Sequence, residues 1–408
     1  MPVVSVGTPL GAGCSSCGYC GPPGGRSTAE TSYKKSGLIA SQLSCEVYQK
    51  MIDRGWRRSG TYCYTPDLRR SCCPQYTIKL DALQFKPSRS QRQLVNRWNR
   101  YVLSNSETDG TASSTFSKQT KKSSPTFDLS TSIHAAEYSP DKPPAAQLFR
   151  VTLEESSFSQ EKYALYERYQ TQIHHDYDNS PVSFRRFLVQ SPLVPENIPY
   201  PSTPTEHLPL QYRSYHQMYR LDGELIAMGV LDVLPGCVSS VYFMYDPKWE
   251  KFSLGKLSAL REASLAQEIN NAGIPTMTSL YMGFYIHSCQ KMRYKGEYSP
   301  SYLVDPEEFT WHPLSSCTSL LDRYRYATFA HPENSLEGPD DPGEEQQEAI
   351  PDGELEDVQI IYSIQRGVVS VIPITLSDRW KASYDRDEIM SCITALGLPL
   401  SKEIIFRL

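Results

Sequence analysis

The chain has 408 residues, with 41 Lys and Arg against 46 Asp and Glu for a net charge of −5, long enough for two or three domains around a sizeable core. No stretch approaches the roughly 20 apolar residues that span a bilayer, and the opening MPVVSVGTPLGAG lacks the charged and apolar regions of a secretory leader. The expectation is a soluble monomer, cytoplasmic with nuclear access and without a membrane partner.

Seven of the eleven cysteines fall in residues 1–103, read as a Cys-rich N-terminal domain. An odd count without a leader argues against a disulfide framework. Cys17-x-x-Cys20 and the adjacent Cys72-Cys73 form two chelating pairs, which is what a tetrahedral thiolate site requires. Zinc and an iron–sulfur cluster both suit four thiolates, and Cys14 competes with Cys17 as a ligand. Ser44 is placed to cap a helix from Cys45 to Asp53. It breaks at Gly55 and leaves Trp56-Arg57-Arg58-Ser59-Gly60 as a loop offering two guanidiniums to an anion. Residues 104–147, rich in Ser, Thr, Pro and Lys, read as a disordered linker or insertion.

Order resumes in residues 148–408, read as the catalytic domain, with a strand near Val151 and a helix capped by Ser157 or Ser159. His174-His175 near its end reads as a dipole interaction, since adjacent helical residues do not face one another. YHQMYRL and ELIAMGVLDVL flank Asp222-Gly223, a two-residue hairpin turn. The strand Val241–Tyr245 follows, then a helix capped by Ser253 that carries Leu254, Leu257, Leu260, Ala263 and Ile269 inward and stops at Asn271-Ala272-Gly273. A strand from Leu280 to Ile286 ends in a basic loop with His287, Cys289, Lys291, Arg293 and Lys295. Strand, glycine and helix start together present backbone N–H groups to a phosphate or oxyanion. Residues 333–357 hold eleven acids and no Lys or Arg, which leaves 41 basic against 35 acidic residues elsewhere, +6. This segment reads as a solvated, disordered loop, and the mildly basic remainder permits a polyanionic partner. A β-rich end closes the chain.

Several blocks together are specific: CGYC, DRGWRRSGTYCY, CCPQYTI, SFSQEKYALYERYQ, YHQMYRLDGELIAMGVLDVLP, KFSLGKLSALRE and YMGFYIHSCQKMRYKGEYSPSYLVDP. In these blocks the chain resembles the eukaryotic arginyltransferases, which move arginine from its tRNA to an acidic protein N-terminus. The resemblance implies an α+β fold, an acyl-CoA N-acyltransferase-like mixed sheet with helices, plus a domain binding zinc or an iron–sulfur cluster through Cys17, Cys20, Cys72 and Cys73. It also implies arginyl-tRNA as co-substrate and proteins beginning with Asp, Glu or oxidised Cys as acceptors, marked thereby for ubiquitin-dependent degradation.

Joining an α-amine to an aminoacyl ester needs no protein nucleophile, because the ester is already activated. It needs a proton acceptor, for which Glu262, His287 and Tyr281 are candidates. Ser253, Gly255, Lys256 and Arg261 are expected to receive the tRNA end. Asp232 and Asp246, with Glu262 as a further option, are expected to meet the arginyl guanidinium. Arg57, Arg58, Lys291, Arg293 and Lys295 are expected to receive the acidic residue. The competing class is a tRNA- or N-terminus-binding, metal- or redox-sensing regulator without turnover.

Overall fold

The computed structural model describes residues 3–21, 25–29, 32–105, 127–141, 145–338, 350–366 and 368–408. The first part of the chain runs β1 (Ser5–Ser15), β2 (Tyr33–Gln42), α1 (Cys45–Asp53), β3 (Arg57–Ser59), β4 (Tyr62–Pro66), β5 (Tyr76–Asp81) and α2 (Arg89–Ser104). Ser44 caps α1 as its position predicts, accepting from the Val47 N–H. The segment Arg57–Ser59 is not a loop. Gly60, at φ 63°, turns the chain so that Arg57–Ser59 pairs antiparallel with β4. The linker expected over residues 104–147 is partly ordered: Asp128 caps α3 (Leu129–Ile133), which buries Leu129 and Ile133. Most of the rest of that stretch lies outside the described residues.

The second part continues with β6 (Phe149–Glu155), α4 (Gln160–Tyr169, capped by Ser159), α5 (Pro181–Phe184), β7 (Glu196–Asn197), β8 (Gln211–Leu221), β9 (Glu224–Leu234) and β10 (Cys237–Tyr245). Asp222 (φ 50°) and Gly223 (φ 85°) make the tight turn between β8 and β9. Then come α6 (Leu254–Asn271), β11 (Ser279–Tyr285), α7 (Gln290–Arg293), β12 (Ser301–Val304), β13 (Trp311–Pro313), α8 (Leu314–Arg323), β14 (Gln359–Gln365), β15 (Val368–Pro373), α9 (Asp378–Lys381), α10 (Ser383–Leu396), α11 (Leu398–Ser401) and β16 (Ile404–Phe406). The centre of the acidic stretch 333–357 is not among the described residues, but Leu355 at its end is buried.

Two sheets result, a mixed α+β arrangement. One has seven strands in the order β15-β14-β16-β1-β2-β4-β3, and the other nine, β13-β12-β5-β11-β10-β9-β8-β6 with β7 added beside β8. They do not divide at residue 103: β16 lies parallel to β1, and β5 is inserted between β12 and β11. The chain ends are therefore tied together in the seven-stranded sheet, while β5, which follows Cys72 and Cys73, is tied into the other. The apolar face of α6 is buried as its spacing predicts, including Leu254, Leu257, Leu260, Ala263 and Ile269. Ser253 does not cap it with its side chain. The residue adopts a left-handed conformation (φ 52°), and its carbonyl accepts from Lys256 and Leu257 while its N–H closes the preceding turn on Glu250.

Candidate active-site cleft and thiol centre

Strands β10 and β11 are parallel neighbours, yet they pair only over Cys237–Ser239 with Ser279–Tyr281. Beyond those three residues the strands part. On the β10 side a bulge between Ser240 and Tyr242 interrupts the ladder to β9, and on the β11 side the register to β5 shifts between Tyr281 and Phe284. Gly283, at φ 71°, supplies the backbone freedom for that shift. Two cations meet the carbonyls exposed there: Arg57 Nη2 donates to Gly283 O (3.2 Å) and Lys295 Nζ to Phe284 O (2.7 Å). Arg57 is buried, and its Nε has no hydrogen-bond partner among the described residues. Half-buried Lys295 is pushed down to about 7, by burial first and then by the nearby Arg57 charge.

Helix α6 packs on β10, and Glu262 is buried between them. Its Oε1 accepts from Ser258 Oγ (2.6 Å), and Tyr219 donates to Ser258 Oγ (3.1 Å) and Gln217 Oε1 (2.6 Å). Burial pushes Glu262 up to about 7, opposed in part by hydrogen bonds from Ser258 and Ser240. Ser240 stands at the bulge where β10 leaves β11, so a carboxyl poised near neutrality sits directly behind the opening.

The other expected residues are distributed as follows. Arg58 and Asp232, given separate tasks from the sequence, neutralise each other: Arg58 Nε and Nη2 donate to Asp232 Oδ2 (2.8 Å) and Oδ1 (2.5 Å), both residues buried. Neither is free to meet a substrate, because a buried charge is held by its nearest opposite charge. Asp246 accepts from the Lys248 N–H (3.1 Å) and pairs with Arg168 (3.2 Å), a turn-capping role. Arg261 faces inward, bonded to Ile133 O and ion-paired with Glu137, and is not on a surface open to tRNA. Lys256 is exposed and pairs with Glu297 (3.1 Å). Lys291 and Arg293 are exposed on α7.

Tyr281 donates to Asp53 of α1, where burial raises both groups. His287 is bracketed by Tyr285 Oη at Nδ1 (2.9 Å) and Asp322 Oδ1 at Nε2 (2.7 Å). Sequence reasoning did not find Ser240, Ser258, Tyr219, Tyr285 or Asp322. The one available signal was Ser258 standing four residues before Glu262, a helical hydrogen-bonding distance.

The cysteines converge as their spacing predicts. The sulfurs of Cys17, Cys20, Cys72 and Cys73 lie within 4.8 Å of one another, and Cys14, exposed on β1, is not among them. The Tyr19 N–H donates to Cys17 Sγ (3.4 Å), and Cys17 N–H is held by Ser27 and Ser32. Cys17 is lowered although burial works against it, because hydrogen bonds from the Tyr19 backbone and from Cys72 and Cys20 outweigh the loss of water. Burial pushes Cys72 up to about 11 and Cys73 higher still. Cys17 and Cys73 pack on Ile286 with Cys289 and Met292, so the thiol centre buttresses the far end of β11, a few residues from the Gly283–Phe284 stretch.

Together these features define a mixed α+β transferase in which two parallel strands part after a short pairing and a four-thiol centre braces one of them. The chain belongs to the arginine-tRNA–protein transferase family: residues 15–93 match the N-terminal region of that family and residues 161–305 its C-terminal region. It is 32% identical to "Arginyl-tRNA--protein transferase 1" of Drosophila melanogaster, over 79% of this chain and 85% of the fly protein. Identity to the protein of the same description in Arabidopsis thaliana is 28%, over 76% and 73%. An "Aspartate/glutamate leucyltransferase" of Pseudomonas fluorescens is 28% identical over 64% of this chain and 81% of its own length.

Proposed function

We propose that the cleft between β10 and β11 is where this enzyme transfers arginine from arginyl-tRNA to the α-amine of a protein with an acidic first residue. The observation that carries the reading is the three-residue pairing of the two strands, with Glu262 behind one side of the opening and Arg57 and Lys295 on the other. A mixed sheet with one parallel pair opened at one end supports an acyltransferase-like fold.

In the reaction the neutral α-amine attacks the ester carbonyl carbon, the ester C–O bond breaks, and the 3′-terminal ribose oxygen of the tRNA leaves and takes up a proton. An N-terminal amine titrates near 7.7–8.0, so much of it arrives protonated. Glu262, poised at about 7, is matched to accept that proton through Ser240. Arg57 and Lys295 receive the carboxylate of the acceptor's first residue, and a carboxylate there would hold Lys295 in its charged form. The start of α6, with Gly255 and the exposed Lys256, receives the terminal nucleotide of the tRNA.

Four sulfurs within 4.8 Å suit one tetrahedral ion, whose sulfur ligands stand about 3.8 Å apart for a metal–sulfur bond of about 2.3 Å. Four thiolates also suit an iron–sulfur cluster, one on each iron of a four-iron cluster or two on each iron of a two-iron cluster. Either group, held by the four thiolates, would contribute folding free energy at β11. Acceptors carrying arginine would then enter N-terminal degradation signalling, as the family resemblance implies.

The test is transfer of labelled arginine from arginyl-tRNA by the purified chain to peptides that begin with Asp, Glu or Ala. Labelling of the Asp and Glu peptides alone is expected. Equal labelling of the Ala peptide would remove the acceptor pocket, and absence of all labelling would remove the reading.

A further inference from the structure

Among the described residues a second group brings potential ligand atoms within 4.8 Å of one another: His134, His207 and Glu268. They come from three separate places, the turn after α3, the loop before β8, and α6. His207 Nε2 lies 2.6 Å from Glu268 Oε2, and His134 Nε2 lies 3.1 Å from Oε1. The two imidazoles face each other at 5.0 Å between ring centres. The other nitrogen of His134, Nδ1, lies 2.9 Å from Glu137 Oε2, and Glu137 is in turn held by Arg261.

We infer that His134, His207 and Glu268 form a binding site for a divalent transition-metal ion of the zinc class, with Glu137 orienting His134 from behind. Two imidazole nitrogens and a carboxylate leave the fourth position of a tetrahedron open, a donor set that suits zinc. Ligands about 2.0–2.2 Å from such an ion stand roughly 3.3–3.5 Å from one another, so the hydrogen-bonded His207 and Glu268 atoms, 2.6 Å apart, would have to separate a little to admit it, while His134 at 3.1 Å is nearly in place. A carboxylate on the distal nitrogen of a metal-bound imidazole fixes both its tautomer and its direction. Because both nitrogens of His134 face carboxylates, the point between Nε2 and Glu268 needs a positive centre, a proton or a metal ion. The two glutamates against one arginine make the pocket a net attractor of cations. A small open pocket of about 30 Å³, bordered also by Thr152, Gln217 and Arg261, takes in the cluster, and the exposed His207 stands at the rim. An ion here would clip the α3 turn and the loop before β8 onto α6, six residues past Glu262. The site is independent of the four cysteines.

The full chain, stripped by chelator dialysis and reloaded with Zn2+ or Co2+, tests this by elemental analysis and visible spectroscopy. The wild type is expected to take up one more equivalent than His207→Ala, with the cobalt–thiolate charge-transfer bands of the cysteine centre the same in both. His207 is on an exposed loop, so its loss leaves folding intact. Glu137→Gln should keep the equivalent but weaken it about 10–100-fold. Equal uptake by wild type and His207→Ala would overturn the inference, whatever the cysteine centre holds, because only the difference between the two counts is read.

Discussion

Glu262 and Glu268 stand six residues apart on one helix, both largely buried, each accepting from a serine one turn earlier, Ser258 and Ser264. Their surroundings drive them in opposite directions. Around Glu262, among the described residues, only the hydroxyls of Ser258 and Ser240 reach the carboxyl, and burial pushes it up to about 7. Around Glu268 burial acts the same way, but hydrogen bonds from His134, His207 and Ser264 and the charge of His134 hold it far below the usual range. Helix position and residue type therefore do not decide what a buried carboxyl does. The partners brought in from distant segments do: one turn of α6 keeps a carboxyl able to gain and lose a proton, and the next has one fixed as an anion.

The largest effect is expected where that contrast is abolished at Glu262. Glu262→Gln should lower turnover about 10²–10⁴-fold, the range of a lost general base. It should also remove the limb of the pH–rate profile that rises near pH 7, read by labelled-arginine transfer from pH 5.5 to 9. Stability gives a second readout. Glu262 is raised from 4.5 to about 7 in the fold, so the folded state holds the proton more tightly than the unfolded state. The stability it contributes is full below about pH 4.5 and is lost as pH rises through about 7. Denaturation midpoints of the wild type should decline across that window, and those of Glu262→Gln should decline less. A variant with normal turnover and an unchanged profile would reduce Glu262 to a packing residue.

A third buried carboxyl, Asp232, extends the comparison, since its partner Arg58 provides a full bidentate match. Asp232→Ala should cost about 3–5 kcal/mol by stranding a buried guanidinium, while Arg58→Met with Asp232→Leu should cost much less. Urea unfolding of the full chain measures both. If Asp232→Ala were as stable as wild type but lost selection among charged tRNAs, Asp232 would be a substrate contact after all. Glu268→Gln is expected to cost less, about 1–3 kcal/mol, because a neutral amide keeps part of the hydrogen bonding while the histidines lose their charged partner.

What the sequence shows and what it hides follows the same division. The hairpin at Asp222-Gly223, the inward face of α6, the Ser44 cap and the convergence of Cys17, Cys20, Cys72 and Cys73 depend on neighbours in sequence or on two short chelating pairs, and all were legible. The insertion of β5 into the nine-stranded sheet and the pairs Arg58–Asp232 and Arg261–Glu137 depend on partners more than a hundred residues away. No local pattern encodes them. Charges such as Arg58 and Asp232 therefore read as available when each already has a partner. His134, in a stretch that reads as linker, was hidden for the same reason.

The smallest effect, and the sharpest on the difference between buried and exposed charge, is expected at Lys256. Its pair with Glu297 is solvated on both sides, at 45% and 57% side-chain exposure. An ion pair of that kind is worth about 0–1 kcal/mol and is screened by salt. Lys256→Ala should thus leave the urea midpoint almost unmoved. If the start of α6 receives the end of the tRNA, the same change should weaken tRNA binding in low salt and reduce the slope of log affinity against log salt by about one, because one fewer phosphate is neutralised. The peptide KM should stay constant. Glu297→Ala should act in the opposite sense, since it frees Lys256 from a competing anion. A tRNA salt slope identical in wild type and Lys256→Ala would place the nucleotide elsewhere and leave Lys256 as a solvated surface cation.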